Sequence, residues 1–171
     1  QTKAATLALG GHVGPAYLRF GRPSCPIFNA ADRPFTIGKA DKLLDGKDVT
    51  IFACGHMVWQ TIEAEAILSE KGISAEVINI HTIKPLDVEA ILASVEKTRC
   101  AVSCEEHQVN GGLGDSIAQV CSRFRPTPLE MVAVNDSFGE SGTPTQLLKK
   151  YGLGPENIVH AVEKVLKRKG Q

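Results

Sequence analysis

Nothing in this sequence is long and apolar enough to cross a membrane as a helix. The best uncharged stretch, around Val49 to Ile62, is interrupted by Thr50, Gly55, His56, Gln60 and Thr61, whereas a spanning helix needs about 20 mostly apolar residues. Net charge is lacking as well, because nineteen Lys and Arg offset nineteen Asp and Glu. A nucleic-acid binder draws its affinity mainly from neutralising phosphates, so neither a nucleic acid nor a membrane is an expected partner. The one dense basic run, Lys164, Lys167, Arg168 and Lys169, stands at a helix end, where cations complement the helix dipole. Paired cysteine ligands are missing too. Cys25, Cys54, Cys100, Cys104 and Cys121 form an odd set without zinc-type spacing, three of them reading as strand or helix core. That usage suits a reducing compartment. No secretory signal stands before the first helix, so the cytoplasm is the expected location. Internal repeats and low-complexity segments are absent.

What is present is the composition of a globular chain: 171 residues, 43% apolar and 22% charged, enough for a real core. The opening, Thr2 to Leu9, reads as a helix fragment with Ala4, Ala5 and Ala8 and no cap before it, which suggests that an upstream part is missing. "YLRFGRP" follows. Tyr17, Arg19 and Gly21 alternate with Leu18 and Phe20, the period of a half-buried strand, and Pro23 would stop its ladder directly after Arg22. Pro23, Pro26 and Pro34 then predict an extended connector and a domain boundary.

From Asp48 onward strand and helix alternate. "VTIFAC", "AEVINI", "CAVSC" and "LEMVAVN" are apolar strands. A helix from about Met57 to Lys71 ends at Gly72, with Leu68 and Ile73 placed for a Schellman contact. Asp87 caps a second helix, whose Val88, Ile91, Leu92 and Val95 recur at helical spacing. "GGLGDSIAQVCSRF" opens a third. Thr143, Pro144 and Gln146 spell a capping box, and Pro155 starts the last helix. This order predicts an α/β fold: three layers, a mostly parallel open sheet and helices on both faces.

In such sheets ligands bind at the carboxyl ends of the strands, and there the polar residues gather: His56, His81, Glu105, Glu106, His107, Asp136 and Glu140. The "NGGLGD" turn could cradle a phosphate on backbone N–H groups. The competing and favoured reading is a tight strand-to-helix turn, since Gly111, Gly112 and Gly114 fit neither a dinucleotide fingerprint nor a Walker loop. Glu105, Glu106 and His107 could be an acid/base cluster, but adjacent strand residues alternate faces, which favours a salt-bridged or interface role. His56 and His81 lack a third ligand at metal spacing, and Cys54 reads as core. No catalytic, cofactor-binding or metal-ligating residue is assigned to this chain.

"YLRFGRP", "GKDVTIFACGHMV", "EVINIHTIKPLD", "SCEEHQVNGGLGDSIA" and "VNDSFGESGTPTQLLKKYGL", in this order, resemble the C-terminal part of transketolase over essentially the whole chain. The layout is also similar to deoxyxylulose phosphate synthases and 2-oxoacid dehydrogenase beta subunits, and the competing class is a stand-alone α/β module that binds a nucleotide or a partner without catalysis. The resemblance implies residues 1–24 as the tail of a pyrimidine-binding domain, 25–45 as a linker and 46–171 as the C-terminal domain, with one edge strand antiparallel. It also implies ketol transfer between sugar phosphates in the pentose phosphate pathway, with thiamine diphosphate and magnesium as cofactors of the complete enzyme. The Gly-Asp-Gly motif and the pyrimidine-protonating carboxylate of that family are absent here, so this chain alone is expected to bind neither cofactor and to be inactive. Its implied partners are diphosphate- and pyrimidine-binding domains, on the same or a separate chain, sugar phosphates, and a second copy in a homodimer. One site residue carries over: Arg22, matching the arginine that grips the substrate's terminal phosphate. Arg19, on the face of Tyr17 and Gly21, is the weaker candidate. The alternative for Arg22 is an ion pair with Asp32 or Asp41.

Overall fold

A computed structural model describes residues 1–21, 24–30 and 33–169. Arg22, Pro23 and Asp32 lie outside the described residues. The elements in chain order are α1 (Thr2–Gly10), β1 (Asp41–Leu44), β2 (Val49–Ala53), α2 (Met57–Glu70), β3 (Ala75–Asn79), α3 (Val88–Thr98), β4 (Ala101–Gln108), α4 (Leu113–Phe124), β5 (Leu129–Val134), α5 (Pro144–Lys150) and α6 (Pro155–Lys169).

The apolar runs become strands buried on both faces. Every residue of β2 and β3 is buried, which is why these runs show no alternation. The sheet order is β1-β3-β2-β4-β5, parallel throughout except for β1, which pairs antiparallel with β3. Step direction then fixes the layers. From β2 to β3 the chain moves toward one edge; from β3 to β4 and on to β5 it moves toward the other. Right-handed crossovers therefore put α2 on one face and α3 and α4 on the opposite one. The core divides accordingly. Val49, Ile51 and Ala53 pack with Leu68 of α2 and Ile158 and Val162 of α6. Phe52 and Cys54 pack with Ile91 and Val95 of α3 and Ile117 of α4.

Local signals end the helices where the residues dictate. Gly72 takes φ +76° and the Ile73 N–H donates to the Leu68 carbonyl at 2.9 Å, the Schellman geometry. The Asp87 carboxylate accepts from the Ala90 N–H at 3.2 Å and from the Ala40 N–H at 2.9 Å, capping α3 and tying down the chain before β1. Thr143 and Gln146 complete the capping box of α5.

Three expectations are corrected. The Tyr17 segment is not a strand: residues 12–20 make no ladder, and Tyr17 and Phe20 are 86% and 66% exposed. Alternation describes two faces but supplies no neighbour, and this segment lies against the strand ends rather than along a sheet edge. Second, residues 41–44, read as part of the linker, form β1. The rest of that stretch is anchored by Phe28 stacked on Trp59 at 6.2 Å and by Arg33 paired with Asp41 at 2.7 Å. Third, four cysteines rather than three are buried, Cys25 alone being exposed.

The turn joining β1 to β2 crosses the start of β3 at Gly46. A methyl group there would stand 2.2 Å from the Ala75 carbonyl carbon and 2.3 Å from the Glu76 nitrogen, both backbone atoms that cannot step aside. Gly46→Ala should therefore destabilise the fold by about 3 kcal/mol, the upper range for overpacking. A urea midpoint within error of wild type would show that the turn relaxes freely.

Candidate functional site

At β2 and β4 the sheet order turns. The chain leaves β2 toward one edge and β4 toward the other, opening a crevice beyond their carboxyl ends. An open cleft of about 890 Å³ lies there. Cys54 and His56 border it after β2, Glu105, Glu106 and His107 at the end of β4, and Leu147 and Tyr151 on the far wall.

The cleft is organised by Glu105. Cys104 is the last β4 residue in register with β2, and beyond an irregularity the strand continues beside β5 alone, with Gln108 opposite Val134. Glu105 is only 2% exposed. Its carboxylate accepts from the Leu113 N–H at 2.9 Å and the Gly114 N–H at 2.8 Å, two of the amides that the first turn of α4 leaves unpaired. The Gly111 N–H donates to Asp115 at 2.5 Å. The glycine-rich turn thus holds the protein's own carboxylates where a phosphate would sit, and the tight-turn reading prevails. Gly112 is required by this closeness, since a methyl group on it would lie 2.2 Å from Glu105 Oε2.

Burial pushes the Glu105 carboxyl up, but hydrogen bonds from His107, Gly114 and Leu113 outweigh it and hold the group below the ordinary glutamate value. His107 Nδ1 lies 3.4 Å from Glu105 Oε2. Strand residues two apart share a face, so Glu105 and His107 meet, while Glu106 borders the cleft on the side of Gly55. On its other side His107 Nε2 contacts Arg19 Nη1. Gly21 rests on His56, for a methyl group there would fall 2.0 Å from the His56 Nε2. Two histidines at the strand ends thus receive the segment that ends in Gly21.

Other polar residues do not converge. His81 stacks on Phe35 with centroids 4.3 Å apart and bonds Thr82 at 2.9 Å; burial lowers its pKa, and it does not line the cleft that His56 borders. Glu140 pairs with Lys150 at 2.5 Å. Burial, with the charges of Glu105 and Glu106, pushes the Cys54 thiol up to about 12, far from the thiolate that nucleophilic chemistry needs. The arrangement is a rigid receiving edge. The reading from residue types missed that Glu105 is a helix cap; the signal was a glutamate at a strand end eight residues before a glycine-led helix.

The family model for the transketolase C-terminal domain matches residues 38–158. A 6-deoxy-6-sulfo-D-fructose transketolase subunit of Clostridium sp. (strain MSTE9) is 42% identical over 169 residues, 99% of this chain and 52% of that protein. A 1-deoxy-D-xylulose-5-phosphate synthase of Pelotomaculum thermopropionicum (strain DSM 13744 / JCM 10971 / SI) is 37% identical over 155 residues, 88% of this chain and 24% of that protein. A solved split-gene transketolase, described as an inactive beta4 tetramer, superposes with a TM-score of 0.92 at 42% identity, covering 97% of this chain and 56% of that one. The chain thus spans about half the length of the transketolase subunit it matches.

Proposed function

Because the chain belongs to the transketolase C-terminal domain family, we propose that it is the C-terminal section of a thiamine diphosphate-dependent transketolase. The complete enzyme would move two-carbon ketol units between sugar phosphates, in the cytoplasm and as a homodimer. The carrying observation is the likeness to split-gene transketolase subunits, which extends from end to end of this chain and includes the segment before the α/β domain. The relatives act by name on a sulfofructose and on deoxyxylulose phosphate synthesis, so the sugar class, within or outside the pentose phosphate pathway, is open to direct assay.

The residues of this chain do not fit the cofactor. The glycine-rich amide nest before α4 is filled by Glu105 and Asp115, and among the described residues no three His, Cys, Asp or Glu side chains group to hold a magnesium ion. Diphosphate- and pyrimidine-binding domains, on the same or another chain, would supply those groups. The part we give this chain is substrate binding through Arg22 and the support of that residue's segment. Asp41, one of the two carboxylates that could have claimed Arg22, is engaged by Arg33.

Titration of this chain alone with thiamine diphosphate and magnesium should give no heat beyond dilution. Ketol transfer from a phosphorylated ketose should appear only when the other two domains are supplied. Micromolar cofactor binding by the chain alone would overturn this division of labour. A complete enzyme that accepts only a 2-oxoacid donor would move the chain to the synthase branch.

A further inference from the structure

We propose that the cleft beyond β2 and β4, with Phe138 beside it, is the docking face for the section of the enzyme that carries the pyrimidine- and diphosphate-binding domains, and that Phe138 is its anchor. The inference rests on the reading of this chain as one section of a larger transketolase.

Phe138 is 96% exposed, yet its place on the surface is fixed. Gln108 Nε2 donates to the Ser137 carbonyl at 2.7 Å, and the Tyr151 hydroxyl donates to the Phe138 carbonyl at 2.9 Å. One tether comes from the end of β4 and the other from just past α5. The Asp136 N–H adds a bond to the Val134 carbonyl at 3.1 Å. Asp136 itself takes φ +41°, a conformation that residues other than glycine adopt at a cost. The loop thus holds a large apolar ring out in water, where it gains no packing. A ring held in advance loses little conformational freedom when a partner closes over it, which is how a displayed side chain becomes an anchor.

The cleft supplies the rest of the face. Ser137 and Gly139, on either side of Phe138, line it together with Leu113, Val134, Leu147 and Tyr151. Glu106 borders it as well, and among the described residues neither Glu106 nor Asp136 enters an ion pair. Charge selects the occupant. An anionic ligand would meet Glu106, and the amides that could hold it are filled by Glu105 and Asp115. A second copy in two-fold contact would set the patch against itself, Glu106 and Asp136 facing their equals, and like charges across an interface are costly. A protein surface with apolar side chains bordered by Lys or Arg fits both the walls and the rim. Size agrees with this choice. The transketolase subunit that the chain matches has nearly as much polypeptide again outside the matched part, enough to cover the face.

The test compares this chain alone with the complete enzyme. In a Cys25→Ser background, which leaves buried thiols only, Ser137→Cys places a thiol at the cleft and keeps the Phe138 ring. Assembly should slow its labelling by a maleimide at least about tenfold, as local opening becomes necessary. Phe124→Cys, at the exposed end of α4, should keep its rate. With the two sections made as separate chains, Phe138→Ser should weaken their association about thirtyfold, the lower bound for an anchoring side chain. Glu106→Lys should weaken it about tenfold by opposing the partner's cations. Neither loss can come from misfolding if the urea midpoint of Phe138→Ser in this chain alone equals that of wild type, as expected for a solvated ring. Unchanged labelling of Ser137→Cys on assembly, equal slowing of Phe124→Cys, or association within about twofold of wild type for Phe138→Ser would each place the partner elsewhere. Protection of Ser137→Cys that rises with the concentration of this chain alone would give the face to a second copy and overturn the proposal. If wild type forms no complex with the other section, the reading of the chain as one section of an enzyme fails first.

Discussion

Glu105→Ala should cost about 3–5 kcal/mol of folding stability, the largest single loss expected from a polar side chain in this molecule. The substitution strands two buried N–H groups, those of Leu113 and Gly114, and each unsatisfied buried donor costs about 1–3 kcal/mol. It also removes a negative charge from the N-terminus of a twelve-residue helix, where the dipole favours one. Glu105→Gln should lose roughly half as much, by the same per-bond values, because one oxygen remains to accept while the amide NH₂ is set against a donor. The two variants also separate by pH. Since the folded carboxyl titrates below the ordinary glutamate value of 4.5, its contribution is complete above that value and is lost as pH falls through the depressed one. Wild type should therefore lose stability on acidification in a way that Glu105→Gln does not. Urea titrations at neutral pH and near pH 4 decide it, and a neutral-pH loss below about 1 kcal/mol for Glu105→Ala would mean that water caps α4 instead.

The contrast between Glu105 and the four core strands shows what a sequence makes readable. A parallel strand covered on both faces draws mostly apolar residues, so β2, β3 and the first half of β4 stand out as runs despite Thr50, Glu76, Asn79 and Ser103, and the half-buried β5 does so as well. Helix ends have local chemistry, hence Asp87, Gly72 and the Thr143–Gln146 box lie within a residue or two of their place. β1 has neither property. Its four residues, Asp41 to Leu44, are half-buried at best, sit behind three prolines, and become a strand only because β3 offers an antiparallel edge. The site was partly readable for the same reason. The cleft opens at the strand ends, and Glu105 and His107, two apart, meet on one face as alternation requires. The pairing of His107 with Arg19 and of His56 with Gly21 joins residues 88 apart in one case and 35 in the other, which no local pattern encodes. The Tyr17 segment fails conversely: its period of two is genuine, yet a period says nothing about which edge is free to receive it.

Arg22→Ala in the complete enzyme should raise KM for phosphorylated sugars by about ten- to a hundredfold. A guanidinium holding a phosphate makes charge-assisted hydrogen bonds, bidentate where its planar fork is aligned. Each such bond is worth about 1.5–3 kcal/mol, and about 1.4 kcal/mol is a factor of ten. An unphosphorylated donor never makes the contact and should be nearly indifferent. A contact made to the substrate's phosphate and not to the reacting carbons is uniform binding, so the loss should fall on KM more than on kcat. The rival explanation is an ion pair across the connector. Asp41 is already paired with Arg33 at 2.7 Å and bonded to its Nε at 2.8 Å, which leaves Asp32 as the partner to test. Were Arg22 to serve Asp32, Asp32→Asn would reproduce the Arg22→Ala phenotype, stability would drop in both, and the two donor classes would suffer alike. Equal losses on both donors, matched by Asp32→Asn, would remove Arg22 from the substrate site.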